Sequence, residues 1–404
     1  MTDLNRDTVL QRVPDLKIHI DSSNNIKIYF EGRVIQCGVH GLAILDAFYQ
    51  PTSIHEVLSK FQMKIKGVQD WMDLMTTIVH LHKVGILRDE AQNRPELGAN
   101  TSGFESAPIH VAMLNDKQRT LTYLKGIQEV VHPGDVVLDI GTGTGILAIA
   151  AARAGARHVY AIEASGIGKL AKAVFKANGL ADRITLIEGW STQVKLPEKA
   201  DVFISEIIGN EPMAENTLEI TADAMKRLIK PEARLIPNKI RIAGLPVTIP
   251  RNELKKHTFT VETIQEWKSW YEIDFSQLVE VARNSPHKFF INPFLVRDWK
   301  ALSAPVVLAD IDLKNIKDLT MNNSITVTAN TLGQLDGLLE YFELEVCPTK
   351  QFSTHPSKAD ATNHWLSPVW ILTDPILLQT GDQFTVTYQY RKTEDRTQVS
   401  VSRL

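Results

Sequence analysis

The sequence predicts three folded regions: a small α+β domain, a doubly wound α/β domain, and an antiparallel barrel or sandwich. Residues 136–153 indicate the α/β domain, because a continuous apolar run leads into three alternate glycines and then an alanine-rich run at helical spacing. Residues 15–90 indicate the small domain through a hairpin pattern followed by three helical patterns. After residue 320, segments of alternating apolar and polar residues between turn signals are typical of antiparallel strands.

The turn that follows the first apolar run carries Gly141, Gly143 and Gly145. Glycine permits the positive φ that such turns need and lets a ligand approach the backbone. The loop follows Asp139, reads GxGxG rather than GxGxxG, and lacks the Gly-Lys-Ser/Thr ending of a phosphate loop. This pattern favours S-adenosylmethionine over a dinucleotide or a nucleoside triphosphate, with Asp139 near the amino acid end of the ligand.

The next predicted strand, residues 158–163, ends in Glu163. Nucleotide-binding folds place a ribose-binding carboxylate about 20 residues after the glycine turn, which matches this position. We therefore expect Glu163 to hold the ribose hydroxyls of the ligand. A solvated acid at a strand end is the alternative.

Composition sets broad limits. The 404 residues allow two or three domains, each with its own core. A net charge of −3 with 44% hydrophobic residues gives no reason to expect a nucleic acid or an anionic membrane as partner. Cys37 and Cys347 lie far apart without neighbours at metal-ligand spacing, so we expect reduced core thiols and no metal site. Neither an apolar signal segment nor a membrane-length apolar run is present, so we expect a cytoplasmic protein.

The first hundred residues contain a recognisable pattern. Residues 16–20 and 26–30 predict a β-hairpin. Helical spacing follows in residues 41–48, 54–61 and 68–83. This arrangement resembles the winged-helix peptide-recognition domain of the pyrroloquinoline-quinone chaperone type. The resemblance implies that residues 1–95 capture the leader peptide of a ribosomally synthesised precursor as a strand added at the hairpin edge. A dimerisation or packing module is the alternative.

The chain after the first hundred residues contains five motifs, at residues 109–123, 136–145, 161–165, 176–180 and 205–215. In order and spacing they resemble the protein arginine N-methyltransferases, a family of class I methyltransferases. The resemblance extends over residues 105–404. It implies a methyltransferase domain in residues 105–237 and a C-terminal β-barrel in residues 238–404. It also implies a helical arm at about residues 250–271 that pairs two subunits into a homodimer, with the barrel resuming in residues 267–275.

The strongest match is residues 205–215, in which Glu206 and Glu215 stand nine positions apart. In the family, two glutamates at this spacing grip the substrate guanidinium. An arginine head is planar, carries five donors and is effectively always protonated, so carboxylates can engage it bidentately and polarise one nitrogen. The resemblance therefore implies arginine N-methylation with Glu206 and Glu215 as catalytic residues. We interpret Glu211 and Glu219 as solvated acids, since they lie off this spacing.

Near the C-terminus, Asn363, His364 and Trp365 stand where the family has Thr-His-Trp facing the active site. The resemblance implies that His364 assists proton loss, because imidazole titrates near neutral pH, and that Trp365 walls the substrate channel. Met113, on the helix predicted for residues 109–123, is implied as a second substrate contact.

The resemblance and the glycine turn together imply a cofactor site for S-adenosylmethionine, in which Arg119 holds the ligand's carboxylate. The residues assigned to this site are His110, Arg119, Asp139, Gly141, Gly143, Gly145, Glu163, Ser191 and Thr192.

Three positions depart from the family pattern. Only Phe104 remains of an aromatic lid motif, Thr192 replaces an adenine-contacting glutamate, and Thr217 stands where methionine is common. The departures leave two alternatives open. One is methylation of a different amine, such as a lysine or a small molecule, and the other is a catalytically silent binding protein.

Overall fold

The computed structural model describes residues 4–13, 16–20, 26–30, 33–38, 40–61, 65, 67–89, 107–279, 287–391 and 397–403. The chain divides into two compact units, Met1–Asn100 and Thr101–Leu404. Within the described ranges no helix combines the length and the apolar character needed to cross a membrane. The expected cytoplasmic location stays a prediction.

The first unit contains two small antiparallel sheets and three helices. Its strands are β1 (Val9–Arg12), β2 (Lys17–Ile20), β3 (Ile26–Phe30), β4 (Arg33–Cys37), β5 (Thr52–Ser53) and β6 (Leu87–Asp89), and its helices are α1 (Gly41–Ala47), α2 (Ile54–Phe61) and α3 (Val68–Lys83). The sheet orders are β5-β1-β6 and β2-β3-β4. The predicted hairpin and helices are confirmed, whereas the β5-β1-β6 sheet was not predicted. The winged-helix resemblance stays a prediction.

Helix α2 shows why this unit folds as its sequence predicts. Ser53 begins the helix through a reciprocal capping box: its hydroxyl accepts from the Glu56 amide at 3.2 Å, and its amide donates to the Glu56 carboxylate at 3.1 Å. The helix then buries one apolar stripe from Ile54 to Phe61. Cys37 is a free thiol and only partly buried, so the expectation of a core position is wrong for this cysteine.

The second unit begins with a five-stranded parallel sheet and its helices. The strands are β7 (Val136–Ile140), β8 (His158–Glu163), β9 (Ile184–Glu188), β10 (Ala200–Ser205) and β11 (Ile229–Ile236), and the helices are α4 (Ala107–Asn115), α5 (Lys117–Val130), α6 (Ile146–Arg153), α7 (Gly168–Ala177) and α8 (Thr217–Arg227). The sheet order is β11-β10-β7-β8-β9. The order therefore reverses between β7 and β10, and the loops that follow these strands leave the sheet side by side.

One predicted helix is in fact two. The sequence pattern of residues 109–123 predicts a continuous helix, but α4 ends at Asn115 and α5 begins at Lys117. Asp116 separates them as an N-cap, because its side chain accepts from the Arg119 amide at 3.0 Å.

The rest of the second unit is antiparallel. Its strands are β12 (Lys239–Thr248), β13 (His287–Ile291), β14 (Lys300–Ala301), β15 (Val306–Asp312), β16 (Met321–Thr328), β17 (Gly333–Cys347), β18 (Lys350–Ser353), β19 (Ser367–Leu378), β20 (Gln383–Tyr390) and β21 (Thr397–Arg403). One sheet runs β13-β19-β17-β12-β14, with β15 beside β12 and β18 beside β17, and the other runs β16-β20-β21. These two sheets fit the predicted β-barrel.

Between β12 and β13 lie α9 (Arg251–His257) and α10 (Val261–Tyr271), so the predicted arm is helical. Thr260 is the N-cap of helix α10, because its hydroxyl accepts a hydrogen bond from the Thr263 amide at 3.1 Å. The prediction that the barrel resumes in residues 267–275 is wrong, because this segment completes α10 and then continues without strand structure.

Candidate active site

Two loops meet at the carboxyl edge of the parallel sheet. The glycine loop, residues 141–145, follows β7, and the acidic loop, residues 206–216, follows β10. A Cβ atom placed on Gly141 would lie 2.6 Å from the Ile207 side chain, so the two loops are in direct contact. The site is built where the strand order reverses, as ligand sites in open α/β sheets are.

Glycine is required in the first loop for two reasons. Gly141, Gly143 and Gly145 have φ values of 75°, 54° and 88°, in the left-handed region that side chains disfavour. At Gly145 an added Cβ would also lie 2.3 Å from the Phe175 ring of α7. The backbone of the glycine loop therefore carries no side chain at three positions on the carboxyl edge of the sheet.

Glu163, at the end of β8, lies against this loop. One carboxylate oxygen accepts from the Gly143 amide at 2.8 Å, and the other accepts from the Ser165 amide and hydroxyl at 2.9 and 2.8 Å. A carboxylate offers about four acceptor positions, so capacity remains for a hydroxyl donor. This geometry fits the ribose contact predicted for Glu163.

Asp139 is fully buried at the end of β7. Burial raises its pKa to about 7, against a lowering hydrogen bond from the Thr142 hydroxyl at 2.6 Å. An ammonium group nearby would favour the ionised form. The residue therefore fits the amino acid end of S-adenosylmethionine, which carries such a group.

Arg119, on α5, reaches the acidic loop. Its guanidinium donates to the Glu206 carboxylate and, at 3.1 Å, to the Met113 carbonyl. Burial raises the pKa of Glu206 above its usual value, while the charge of Arg119 opposes that rise. The structure thus joins a predicted cofactor residue to a predicted catalytic residue, and it uses the backbone of Met113 for support.

Glu215 stands at the other end of the acidic loop. Burial and the negative charge of Glu206 raise its pKa to about 8. Within the residues that the structure describes, no basic side chain is placed to lower that value. The pocket therefore contains one paired carboxylate and one that lacks a cation.

His364 is held by the residue that separates α4 from α5. Its Nδ1 lies 2.9 Å from the Asp116 carboxylate, and its backbone amide donates to the same oxygen at 3.1 Å. Burial of Asp116 raises its pKa, but the bonds from His364 and the Arg119 amide outweigh this and lower it below the usual value. Asp116 therefore stays ionised and orients the imidazole.

Trp365 ties the barrel to the acidic loop. Its Nε1 donates to the Ile208 carbonyl at 2.7 Å, and the Arg119 guanidinium lies 5.8 Å from its ring. The adjacent Leu366 amide donates to Asn210 at 2.8 Å. Trp365 is almost completely buried and connects the loop to the barrel, while its predicted role as a wall of the substrate channel stays a prediction.

The other predicted cofactor residues lie around the same crevice. A Cβ on Gly143 would lie 3.5 Å from the His110 ring, which places α4 over the glycine loop. Ser191 and Thr192 are buried in the turn after β9, whose Gly189 amide donates to the Glu163 carbonyl at 2.8 Å.

Two predictions for acidic side chains are wrong. Glu211 and Glu219 are buried rather than solvated. Glu211 pairs with Lys288 of β13, and Glu219 accepts from the Tyr390 hydroxyl at 3.3 Å. Phe104, the expected lid aromatic, lies outside the described residues. Asp116 was missed, although an Asp directly before helical spacing is an N-cap signal.

The raised pKa of Asp139 predicts that cofactor affinity depends on pH. If the ammonium group of S-adenosylmethionine requires the ionised carboxylate, affinity should rise about tenfold from pH 6 to pH 8, through the pKa of about 7. Calorimetric titration at both pH values measures this change, and Asp139→Asn should abolish the dependence. Equal dissociation constants for the wild type at both pH values would contradict the assignment.

Comparison with known proteins gives two family matches. A family model described as ribosomal protein L11 methyltransferase matches residues 116–277. A second, described as the arginine methyltransferase oligomerization subdomain, matches residues 253–402.

Curated relatives and solved structures agree with these matches. Protein arginine N-methyltransferase 1 of Schizosaccharomyces pombe is 31% identical over 283 residues, which cover 68% of this chain and 79% of the relative. Protein arginine N-methyltransferase PRMT10 of Arabidopsis thaliana is 29% identical over 299 residues, 68% of this chain and 77% of the relative. The fold is similar to that in the Trypanosoma brucei PRMT1 enzyme-prozyme complex with AdoHcy, with a TM-score of 0.62, 23% identity, and coverage of 75% of this chain and 100% of that one. The chain therefore belongs to the family of S-adenosylmethionine-dependent protein arginine N-methyltransferases.

Proposed function

We propose that this protein transfers a methyl group from S-adenosylmethionine to an arginine side-chain nitrogen of a peptide or protein, with Glu206 and Glu215 gripping the guanidinium. The observation that supports these roles is the charge of the acidic loop. Glu206 is paired with Arg119, whereas Glu215 lacks a cation among the described residues. A guanidinium supplies that missing charge in a planar form that two carboxylates can hold.

The two carboxylates act on the substrate by orientation and polarisation. Hydrogen bonds from the guanidinium to both acids would fix its plane and draw positive charge away from the nitrogen that is methylated. S-adenosylmethionine supplies the methyl group, which its sulfonium makes electrophilic. Arg119 has five donors, so it can keep Glu206 in place and still bind the cofactor carboxylate.

The methylated nitrogen must also lose a proton. His364 is the candidate acceptor, because Asp116 fixes its Nδ1 side and would stabilise the imidazolium that forms. Asp116 also caps α5, which carries Arg119. One carboxylate therefore holds both the first turn of α5, through the Arg119 backbone amide, and the imidazole.

Mass spectrometry of a peptide pool tests the proposal. Arginine-containing peptides incubated with the protein and S-adenosylmethionine should gain a methyl-sized mass that fragmentation locates on arginine. Glu206→Gln and Glu215→Gln should each reduce this activity at least about a hundredfold, the range seen when a transition-state contact is removed. Glu232→Gln, at an exposed acid of β11, is the matched control and should retain activity.

Methyl groups found on lysine or on a small amine would show a different acceptor. Binding of S-adenosylmethionine without any methylated product would favour a silent binding protein. Either result would contradict the proposed function.

The raised pKa of Glu215 predicts the pH profile of the reaction. The carboxyl group must be ionised to bind a guanidinium, and in the free enzyme it is protonated below about pH 8. kcat/KM should therefore fall as pH decreases below 8, approaching tenfold per pH unit. Steady-state rates from pH 6 to 9 measure the profile, and a flat profile would contradict the assigned role of Glu215.

We further propose that the first unit binds an extended peptide segment of the substrate, such as the leader of a ribosomally synthesised precursor. Among the residues that the structure describes, strand β2 pairs with β3 alone and ends its sheet. Ile18 and Ile20 lie opposite Ile28 and Ile26, on the face that carries the core, yet remain 41% and 49% exposed. A strand added beside β2 would cover them.

Ile18→Thr with Ile20→Thr tests this docking edge. The double variant should raise KM for a long substrate peptide by about tenfold. It should not change KM for a short substrate peptide that contains only the arginine site. Val79→Thr, at an exposed valine of α3, is the control. An unchanged KM for long peptides in the double variant would argue against the docking edge.

We also propose a homodimer formed through the arm. Exposed apolar side chains lie on α10, namely Val261, Trp270 and Tyr271, and Ile273 follows directly after the arm. Because such surface is rarely left in water, Trp270→Glu should convert a dimer to a monomer in sedimentation experiments. A monomeric wild type would contradict the proposal.

A further inference from the structure

Glu211 lies at the tip of the acidic loop, between the two carboxylates assigned to the substrate. Its side chain is buried and forms an ion pair with Lys288 of β13. Neither residue belongs to the motif of two glutamates. The pair therefore requires its own explanation.

Lys288 is itself held in place by the barrel. Its ammonium lies 4.6 Å from the centre of the Trp370 ring, and Trp370 is its cross-strand partner on β19. The Trp370 Nε1 in turn donates to Glu340 at 3.0 Å. Glu340, on β17, is fully buried. Contacts among residues of β13, β19 and β17 thus fix the position of the Lys288 ammonium.

Three further contacts from described barrel residues to the acidic loop are uncharged at the barrel end. The Trp365 ring nitrogen bonds the Ile208 carbonyl, the Leu366 amide bonds Asn210, and the Tyr390 hydroxyl bonds the Met213 carbonyl at 3.3 Å. Lys288 differs because it also neutralises an acid. Without it, Glu211 would be an unpaired buried carboxylate at the tip of the loop, close enough to the buried acid Glu340 to be repelled by it.

We infer that Lys288 is a positioning residue of the arginine pocket: by pairing with Glu211 it fixes the tip of the acidic loop and so the positions of Glu206 and Glu215 at its two ends. The inference rests on the proposed function. Glu206 then pairs with Arg119 and Glu211 pairs with Lys288, while Glu215 meets its cation when the substrate guanidinium binds. An unpaired Glu211 would be driven from its buried site and would shift the loop tip, and misplacement of the guanidinium by about 1 Å can cost about a hundredfold in rate.

The test compares Lys288→Gln, Lys288→Arg, Glu211→Gln and the double variant Glu211→Gln with Lys288→Gln. We expect Lys288→Gln to lower kcat for an arginine peptide at least tenfold while the dissociation constant of S-adenosylmethionine changes less than twofold. Lys288→Arg should retain at least a third of the activity. The double variant should recover to within threefold of wild type, because it removes the uncompensated anion together with the cation.

Lys239→Gln is the matched control, since Lys239 also lies on a barrel strand and faces a glutamate, Glu345, at 4.0 Å. It should leave kcat unchanged. The recovery in the double variant is the decisive result, because a lysine that only stabilised the barrel would not be rescued by removing Glu211.

Three outcomes would overturn the inference. These are an unchanged kcat in Lys288→Gln, a double variant no better than Lys288→Gln, and a loss of activity matched by equal losses in cofactor binding and thermal stability. If wild type methylates arginine and one of these outcomes occurs, only the inference fails. If wild type methylates no arginine peptide, the proposed function fails and the inference with it.

Discussion

The buried ion pair between Arg119 and Glu206 is the interaction on which the site depends. The two side chains are only 8% and 9% exposed, and they come from α5 and from the loop after β10. Two charges withdrawn from water are stable only when they remain paired, and removing one partner of such a pair typically costs about 3–5 kcal/mol. The interruption between α4 and α5 at Asp116 supports this ion pair, because α5 begins there and carries Arg119 to the acidic loop. The same Asp116 carboxylate then bonds His364 of the barrel.

The charge distribution of the acidic loop explains how such a site selects a cation. Three glutamates lie within ten residues of chain, and the fold supplies buried or half-buried cations to two of them. The third carboxyl, Glu215, has a pKa raised to about 8. An added positive charge would therefore stabilise its ionised form. On the proposed function, selectivity for a cation would come from Glu215, which lacks a cation among the described residues, and from the fixed positions of Glu206 and Glu211.

Local patterns predicted the elements whose structure depends on neighbouring residues in the sequence. The glycine loop, the position of Glu163 at the end of its strand and the helices of the first unit followed from spacing and from capping residues, and each is observed. Contacts between distant residues could not be predicted in this way. His364 and Asp116 are 248 positions apart, and Lys288 and Glu211 are 77 apart. For that reason the prediction that Glu211 and Glu219 are solvated was wrong: their environments depend on barrel strands that meet the loop only in the folded chain. The continuous helix over residues 109–123 was wrong for a local reason, because Asp116 is an N-cap that interrupts it. The resemblance in residues 105–404 correctly identified the family, while the roles assigned to individual site residues stay predictions.

The most direct test of the account is a crystal structure of the full chain with S-adenosylhomocysteine and an arginine peptide. We expect the guanidinium to donate hydrogen bonds to both Glu206 and Glu215, while Arg119 remains paired with Glu206 and Lys288 remains paired with Glu211. A guanidinium bound by Glu211, or seated away from the acidic loop, would contradict it.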